Sequence, residues 1–285
     1  LYRTAVKIDL DKLGFSPDLL EKIHMVINKP NGIMLVTGPT GSGKTTTLYA
    51  CLNTLNTEEV KIITTEDPVE LQIDRIIQCH VNEEIGLTFA RCLRAILRQD
   101  PDIVMVGEIR DLETAQIAVE ASLTGHLVLS TLHTNSAPET ITRLLDMDVE
   151  PFLITASLEA VLAQRLVRVL CRHCRVRYRP DEEEMELLGM PRKWREDPNL
   201  RMFKAKGCPA CDYIGYMGRT GLFEMMLVDE TVCEMILDRA LSFDLRRYAR
   251  KHQGMRTLRE EGMMKCVQGV TTAEEVIAHT DKYDD

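Results

Sequence analysis

Gly38-Pro39-Thr40-Gly41-Ser42-Gly43-Lys44-Thr45 is the segment of this chain whose chemistry reads most directly, a glycine-rich turn ending in Lys-Thr right after the apolar run Ile33-Met34-Leu35-Val36. Glycines there let backbone N–H groups, most of all those of Gly41, Ser42 and Gly43, approach a polyanion that side chains would hold off. Lys44 then reaches the outer phosphates of a nucleoside triphosphate, Thr45 binds Mg²⁺, and Thr46 continues the cradle. The helix expected from Thr45 to about Asn53 adds the positive end of its dipole. The bland alternative is a glycine turn with a stray Lys-Thr. A complete pattern set between an apolar strand and a helix is the context that argues against it.

Binding phosphate does not break it; a water must be held in line and the developing charge neutralised. Three segments offer the groups. Glu66-Asp67-Pro68-Val69-Glu70 follows one expected strand, Gly107-Glu108-Ile109-Arg110-Asp111 follows another, and His126 and His133 flank a third. Phosphate-loop enzymes usually carry Asp-Glu where this chain has Gly107-Glu108, so the metal role falls on Glu108, through water, or on a neighbour. Glu70 is the preferred water-orienting base and Glu66 its competitor; helix caps or solvated loop acids are the structural alternative for all three. The histidines either sense the terminal phosphate or satisfy local hydrogen bonds. Arg91, Arg94 and Arg98 share one helix face. That stripe is either a solvated face or a source of the arginine that motors place across a subunit boundary, worth roughly 10³ to 10⁵ in rate.

Of nine cysteines, four form two Cys-x-x-Cys pairs, Cys171/Cys174 and Cys208/Cys211, and the rest are scattered, as suits a reducing compartment. Four thiolates are the set for a closed tetrahedral Zn²⁺ site, with a redox pair as the alternative. His173 lies inside the first knuckle and reads as surface.

These groups need a scaffold. With 285 residues, 45% of them hydrophobic, the chain can bury a large core. Its net charge of −9 argues against gripping nucleic acid. No run approaches the roughly 18 apolar residues of a membrane span, and Leu1-Tyr2-Arg3 does not begin an export signal, so the expected place is the cytoplasm. A start at Leu1 leaves room for N-terminal modules. Expected elements are a short strand at Val6-Lys7-Ile8, a helix from Ser16-Pro17-Asp18 through Ile27, strands at 60–64, 103–106 and 126–131, and helices at 89–98, 113–123 and 138–146. Helical spacing of Leu158, Val161, Leu162, Arg165 and Leu166 extends another helix over 155–170, and Leu222 to Leu227 returns as a strand. Alternation of this kind predicts an α/β fold with a mainly parallel sheet, its ligand at the carboxyl ends of the strands.

The phosphate loop with Thr46-Thr47-Leu48-Tyr49, the Glu66–Glu70 box, Leu97-Arg98-Gln99-Asp100-Pro101-Asp102 leading to Glu108, and Thr124-Gly125-His126 through His133-Thr134-Asn135 together resemble the secretion ATPase superfamily. The four cysteines and Gly215-Tyr216-Met217-Gly218-Arg219-Thr220-Gly221 narrow the resemblance to its assembly branch, the type II secretion (GspE-like) and type IV pilus extension (PilB-like) ATPases. It spans nearly the whole chain. Pilus retraction ATPases lack the cysteine module. Within the branch, Pro151-Phe152-Leu153-Ile154 and Gly218-Arg219-Thr220-Gly221 lean to secretion, Asn135-Ser136-Ala137-Pro138-Glu139 to the pilus.

The resemblance implies the C-terminal motor half of a longer protein: a lead-in over 1–30, a RecA-like ATPase core over 31–170, a zinc-binding insertion over 171–219, and a returning strand with a C-terminal helical subdomain over 220–285. It implies a homohexamer at the bacterial inner membrane that turns ATP and Mg²⁺ chemistry into pseudopilus or pilus assembly through a platform protein, with Arg94, Arg98 and Arg219 at subunit contacts. In this family a Gly before Glu108 is usual. The competing readings are a DNA-translocating motor of the same core and a nucleotide-gated scaffold without turnover.

Overall fold

A computed structural model describes residues 8–283, so Val6 and Lys7 of the expected first strand lie outside the described residues. Helix α1 (Pro17–Ile27) begins on a proline whose fixed φ suits a first helical turn, and it turns Ile23, Val26 and Ile27 inward. Strand β1 (Gly32–Thr37), helix α2 (Lys44–Leu55), strands β2 (Ile62–Glu66) and β3 (Ile77–His80), helix α3 (Phe89–Ile96), strand β4 (Ile103–Val106), helix α4 (Leu112–Leu123), strand β5 (Leu127–Leu132) and helix α5 (Ala137–Asp146) follow. Asp111 and Ser136 accept from Thr114 N–H and Glu139 N–H, fixing where α4 and α5 start.

Helix α6 (Pro151–Ser157) runs straight into strand β6 (Leu158–Leu170). The expected helix over 155–170 is therefore corrected to the end of a short helix and a long strand. β6 pairs with β1 on one side, and most of it is buried, so apolar residues fall on both faces and their period of two is lost from the sequence. β3 was also missed, being short and largely exposed at the sheet edge.

Beyond β6 come strand β7 (Val176–Tyr178), helices α7 (Glu182–Leu187) and α8 (Arg192–Arg195), strand β8 (Met202–Lys204) and strand β9 (Tyr216–Leu227), which returns antiparallel to β6. Helices α9 (Glu230–Leu237), α10 (Ser242–His252), α11 (Leu258–Val267) and α12 (Ala273–His279) close the described chain.

The main sheet has the order β3-β2-β4-β5-β1-β6-β9, parallel except for β9. Alternate residues of β1 serve opposite cores: Met34 and Val36 pack with Leu48, Tyr49 and Leu52 of α2, Ile33 and Leu35 with the cluster that holds α3, α4 and α5. The sheet is thus covered on both faces, and the carboxyl ends of β1, β2, β4 and β5 open toward one rim. Among the described residues no helix is long and apolar enough to cross a membrane.

Candidate nucleotide site and cysteine centre

The loop after β1 carries its glycines where the backbone demands them. Gly43 has φ +89 and serves as N-cap of α2, a left-handed conformation costly for other residues, and it leaves the first N–H groups of the helix without a side-chain cap. The Lys44 ammonium folds back onto the carbonyls of Gly38 (2.7 Å) and Pro39 (3.1 Å). Burial lowers its pKa, Glu108 opposes that shift, and Arg165 adds to it.

A cleft of about 890 Å³ opens above this loop. Thr40 to Thr46 line one side, and Glu66, Asp67, Glu70, Glu108, Arg110 and His133 converge from the ends of β2, β4 and β5. Arg219 of β9 also reaches it.

The two acids of the first box are held differently. Glu66 is 2% exposed and its carboxylate accepts from the Tyr49 hydroxyl, from Thr64 Oγ1 (2.5 Å) and from Gln78 Nε2 (3.0 Å). Burial and the adjacent Glu66 charge push the Tyr49 phenol well up, so it remains a donor. Glu70 is exposed at the cleft, its backbone N–H donates to the same Tyr49 oxygen (3.3 Å), and its carboxylate has no partner among the described residues.

Glu108 pairs with Arg110 and with His133 Nε2 (2.9 Å). The Arg110 guanidinium lies 5.8 Å above the Phe89 ring and raises its own pKa chiefly through the hydrogen bond to Glu108. Gly107 has a steric cause: a Cβ there would sit 3.1 Å from the Thr65 carbonyl and 3.2 Å from the Phe89 ring. An aspartate there, as other phosphate-loop enzymes carry, would require the Thr65 backbone or the Phe89 ring to give by a few tenths of an ångström.

Three sequence candidates lie away from the cleft. His126 precedes β5 at the end opposite His133, where its Nδ1 meets the Ala121 carbonyl (2.8 Å), so one strand length, roughly 20 Å, separates it from the loop. A sensing role from within the same chain is thereby corrected to a local cap on the end of α4. Arg94 pairs with Glu113 (2.7 Å) on the exposed side of α3, and Arg98 is exposed just beyond α3; neither lines the cleft.

Tyr49, Arg110 and Gln164 were not singled out in the sequence. Tyr49 follows Lys44 on the helix, and Arg110 stands two positions past Glu108; both spacings signal proximity. Gln164 was hidden by the helix assigned to its segment.

Cys171, Cys174, Cys208 and Cys211 meet where the β6–β9 arm ends, their sulfurs all within 4.8 Å of one another and three contacts at 3.8–3.9 Å. Four sulfurs about 2.3 Å from one centre lie about 3.8 Å apart, so the set fits tetrahedral Zn²⁺ rather than an isolated redox pair. Burial works against ionisation of Cys211, but N–H donors from Cys208 (3.3 Å) and Gly215 (3.2 Å) outweigh it and bring the thiol down to about 7. By contrast, burial pushes Cys51 and Cys266 up to about 12, leaving them inert apolar residues.

The family model described as "Type II/IV secretion system protein" matches residues 1–278. The chain is 52% identical over 280 residues to the type II secretion system ATPase E of Vibrio cholerae, covering 98% of this chain and 54% of that protein. It is 50% identical over 272 residues to the type IV pilus assembly ATPase PilB of Thermus thermophilus, covering 95% of this chain and 30% of that one. A crystal structure of the pilus retraction motor PilT with bound ADP superposes with a TM-score of 0.71 at 28% identity, over 99% of this chain and 69% of PilT. The chain spans about half the length of the type II secretion relatives, and less of PilB. A fold shared with a pilus retraction motor over 99% of the chain and a family match over residues 1–278 place this chain in the type II/IV secretion system protein family.

Proposed function

We propose that this chain is the ATP-hydrolysing motor module of a type II secretion machine, which drives pseudopilus assembly. One observation carries the reading: an uncapped helix start and Lys44 face Glu70 and the Glu108–His133 pair across a cleft of about 890 Å³. The ADP-bound retraction motor and the ATPase names of the relatives support it.

In this reading the N–H groups from Gly41 to Thr45 take the β-phosphate, and Lys44 exchanges the Gly38 and Pro39 carbonyls for phosphate oxygens. The Thr45 hydroxyl and Glu108 have the oxygen chemistry that suits Mg²⁺, whose role when bound is to neutralise the oxygens between the outer phosphates. Glu70, with its free carboxylate, orients the attacking water and accepts its proton; Glu66, saturated with donors, holds the box in place through Tyr49. His133 and Arg110 hold Glu108 as charge redistributes. Arg94 and Arg98, turned outward, would serve neighbouring subunits of a homohexamer, whereas Arg219 lines its own chain's cleft and would neutralise phosphate charge there, near the subunit contact.

Residues 31–170 form the ATPase core in this proposal, 171–219 the zinc insertion, 220–285 the returning strand and helical subdomain, and 1–30 the lead-in from an N-terminal region that docks on the inner-membrane platform from the cytoplasmic side. Zn²⁺ would be held by Cys171, Cys174, Cys208 and Cys211 as a structural tie.

Pilus extension is the second reading, favoured by the similarity to PilB. Steady-state phosphate release by the assembled full-length protein tests the motor: turnover is expected for the parent and near-background rates for Lys44→Ala and Glu108→Gln. Equal rates in parent and variants would refute it. A many-fold rise with single-stranded DNA would point instead to a DNA motor.

A further inference from the structure

Gln164 lies on β6 beside the phosphate loop, 2% exposed, and bonds the loop at two points. Its Nε2 donates to the Ser42 carbonyl at 2.6 Å, and its Oε1 accepts from the Thr47 hydroxyl at 2.8 Å. One side chain therefore ties the loop itself to the first turn of α2. The backbone is equally close: a Cβ on Gly38 would meet the Gln164 carbonyl at 2.5 Å, and one on Gly43 would meet its Nε2 at 3.0 Å. The strand is pinned in turn, since Arg165 donates to the Gln164 carbonyl (3.1 Å) and to Asn135 Oδ1 (3.0 Å) beyond β5.

We infer that Gln164 is a positioning residue for nucleotide binding, holding the Ser42–Thr47 backbone in its phosphate-ready shape through the Thr47 hydroxyl and the Ser42 carbonyl. The inference rests on the nucleotide reading above. Without Gln164 the Ser42 carbonyl and Thr47 hydroxyl lose buried partners, and the loop must be ordered by the ligand rather than beforehand. The glutamine amide donates to the carbonyl and accepts from the hydroxyl at once; leucine does neither, and glutamate sets a carboxylate against the Ser42 oxygen beside the phosphates.

The test is equilibrium titration of the purified chain with ATP, alongside thermal melts without nucleotide. Gln164→Leu is expected to weaken ATP affinity at least about tenfold, and Thr47→Val about threefold, measured at temperatures where the melts show each variant folded. Thr47→Ser, which keeps the hydroxyl, should bind like the parent. Because both residues act through one link, the Thr47→Val/Gln164→Leu pair should bind no worse than Gln164→Leu alone. If Gln164→Leu does not fold, Thr47→Val against Thr47→Ser decides the question. A parent that binds ATP with variants that match it overturns this inference alone, whereas a parent that binds none overturns the nucleotide reading and this inference with it.

Discussion

Glu108 and His133 meet at 2.9 Å across the ends of neighbouring parallel strands, β4 and β5, whose register places Val106 beside Ser130. A carboxylate at the end of one strand is thus read by an imidazole from the next. Glu108→Gln keeps the shape and removes the charge. It should lower single-turnover phosphate release by about 10²-fold or more with ATP still bound, and His133→Ala should cost about tenfold. Full activity in Glu108→Gln would remove Glu108 from the chemistry.

Tyr49 gives Glu66 a buried donor and takes the N–H of Glu70, so Tyr49→Phe tests whether the box must be held. Losing a donor to a buried carboxylate should cost about 1–3 kcal/mol in thermal or denaturant unfolding. The turnover number should fall more than the Michaelis constant rises, because the disturbed group is Glu70 rather than the phosphate cradle.

Glu224 of β9 sets a pH dependence. Its carboxylate is fully buried and accepts from the N–H groups that open α5 (Ala137, 2.8 Å) and α11 (Leu258, 3.2 Å). Burial raises its pKa to about 7 from 4.5, with those N–H groups and Arg246 pulling the other way. The folded state then holds the proton more tightly than the unfolded chain. Its contribution to stability is full below about pH 4.5 and is lost as pH rises to about 7, a change on the order of 3 kcal/mol. Unfolding free energies of Glu224→Gln, compared with the parent across this window, should lack that component.

Metal analysis of the purified chain should return about one zinc per chain, and Cys208→Ser should lose it. Binding of that kind contributes on the order of 10–16 kcal/mol to local folding. Chelation should therefore expose 171–219 to protease while ATP binding, centred on the phosphate loop between β1 and α2, persists.

Much of this was legible beforehand because local chemistry and tertiary role coincide. The phosphate loop needs its glycines wherever it occurs, α3 and α5 carry one apolar face each, and Cys-x-x-Cys knuckles permit few folds. What failed did so through burial or distance. β6 packs on both faces, which erases the alternation that marks a strand, and Gln164 vanished with it. His126 and His133 sit symmetrically about one strand in sequence, yet only the carboxyl end of that strand faces the cleft. Glu66 and Glu70 look interchangeable in the sequence, and only packing reveals that one is saturated and the other open.

In the proposed function the loop from Gly38 to Thr45 grips a nucleoside triphosphate. Calorimetric titration with ATP and magnesium measures this most directly: saturable heat at about one nucleotide per chain is expected, weakened at least about tenfold in Lys44→Ala. No heat from the folded parent, or equal affinity in Lys44→Ala, would contradict it.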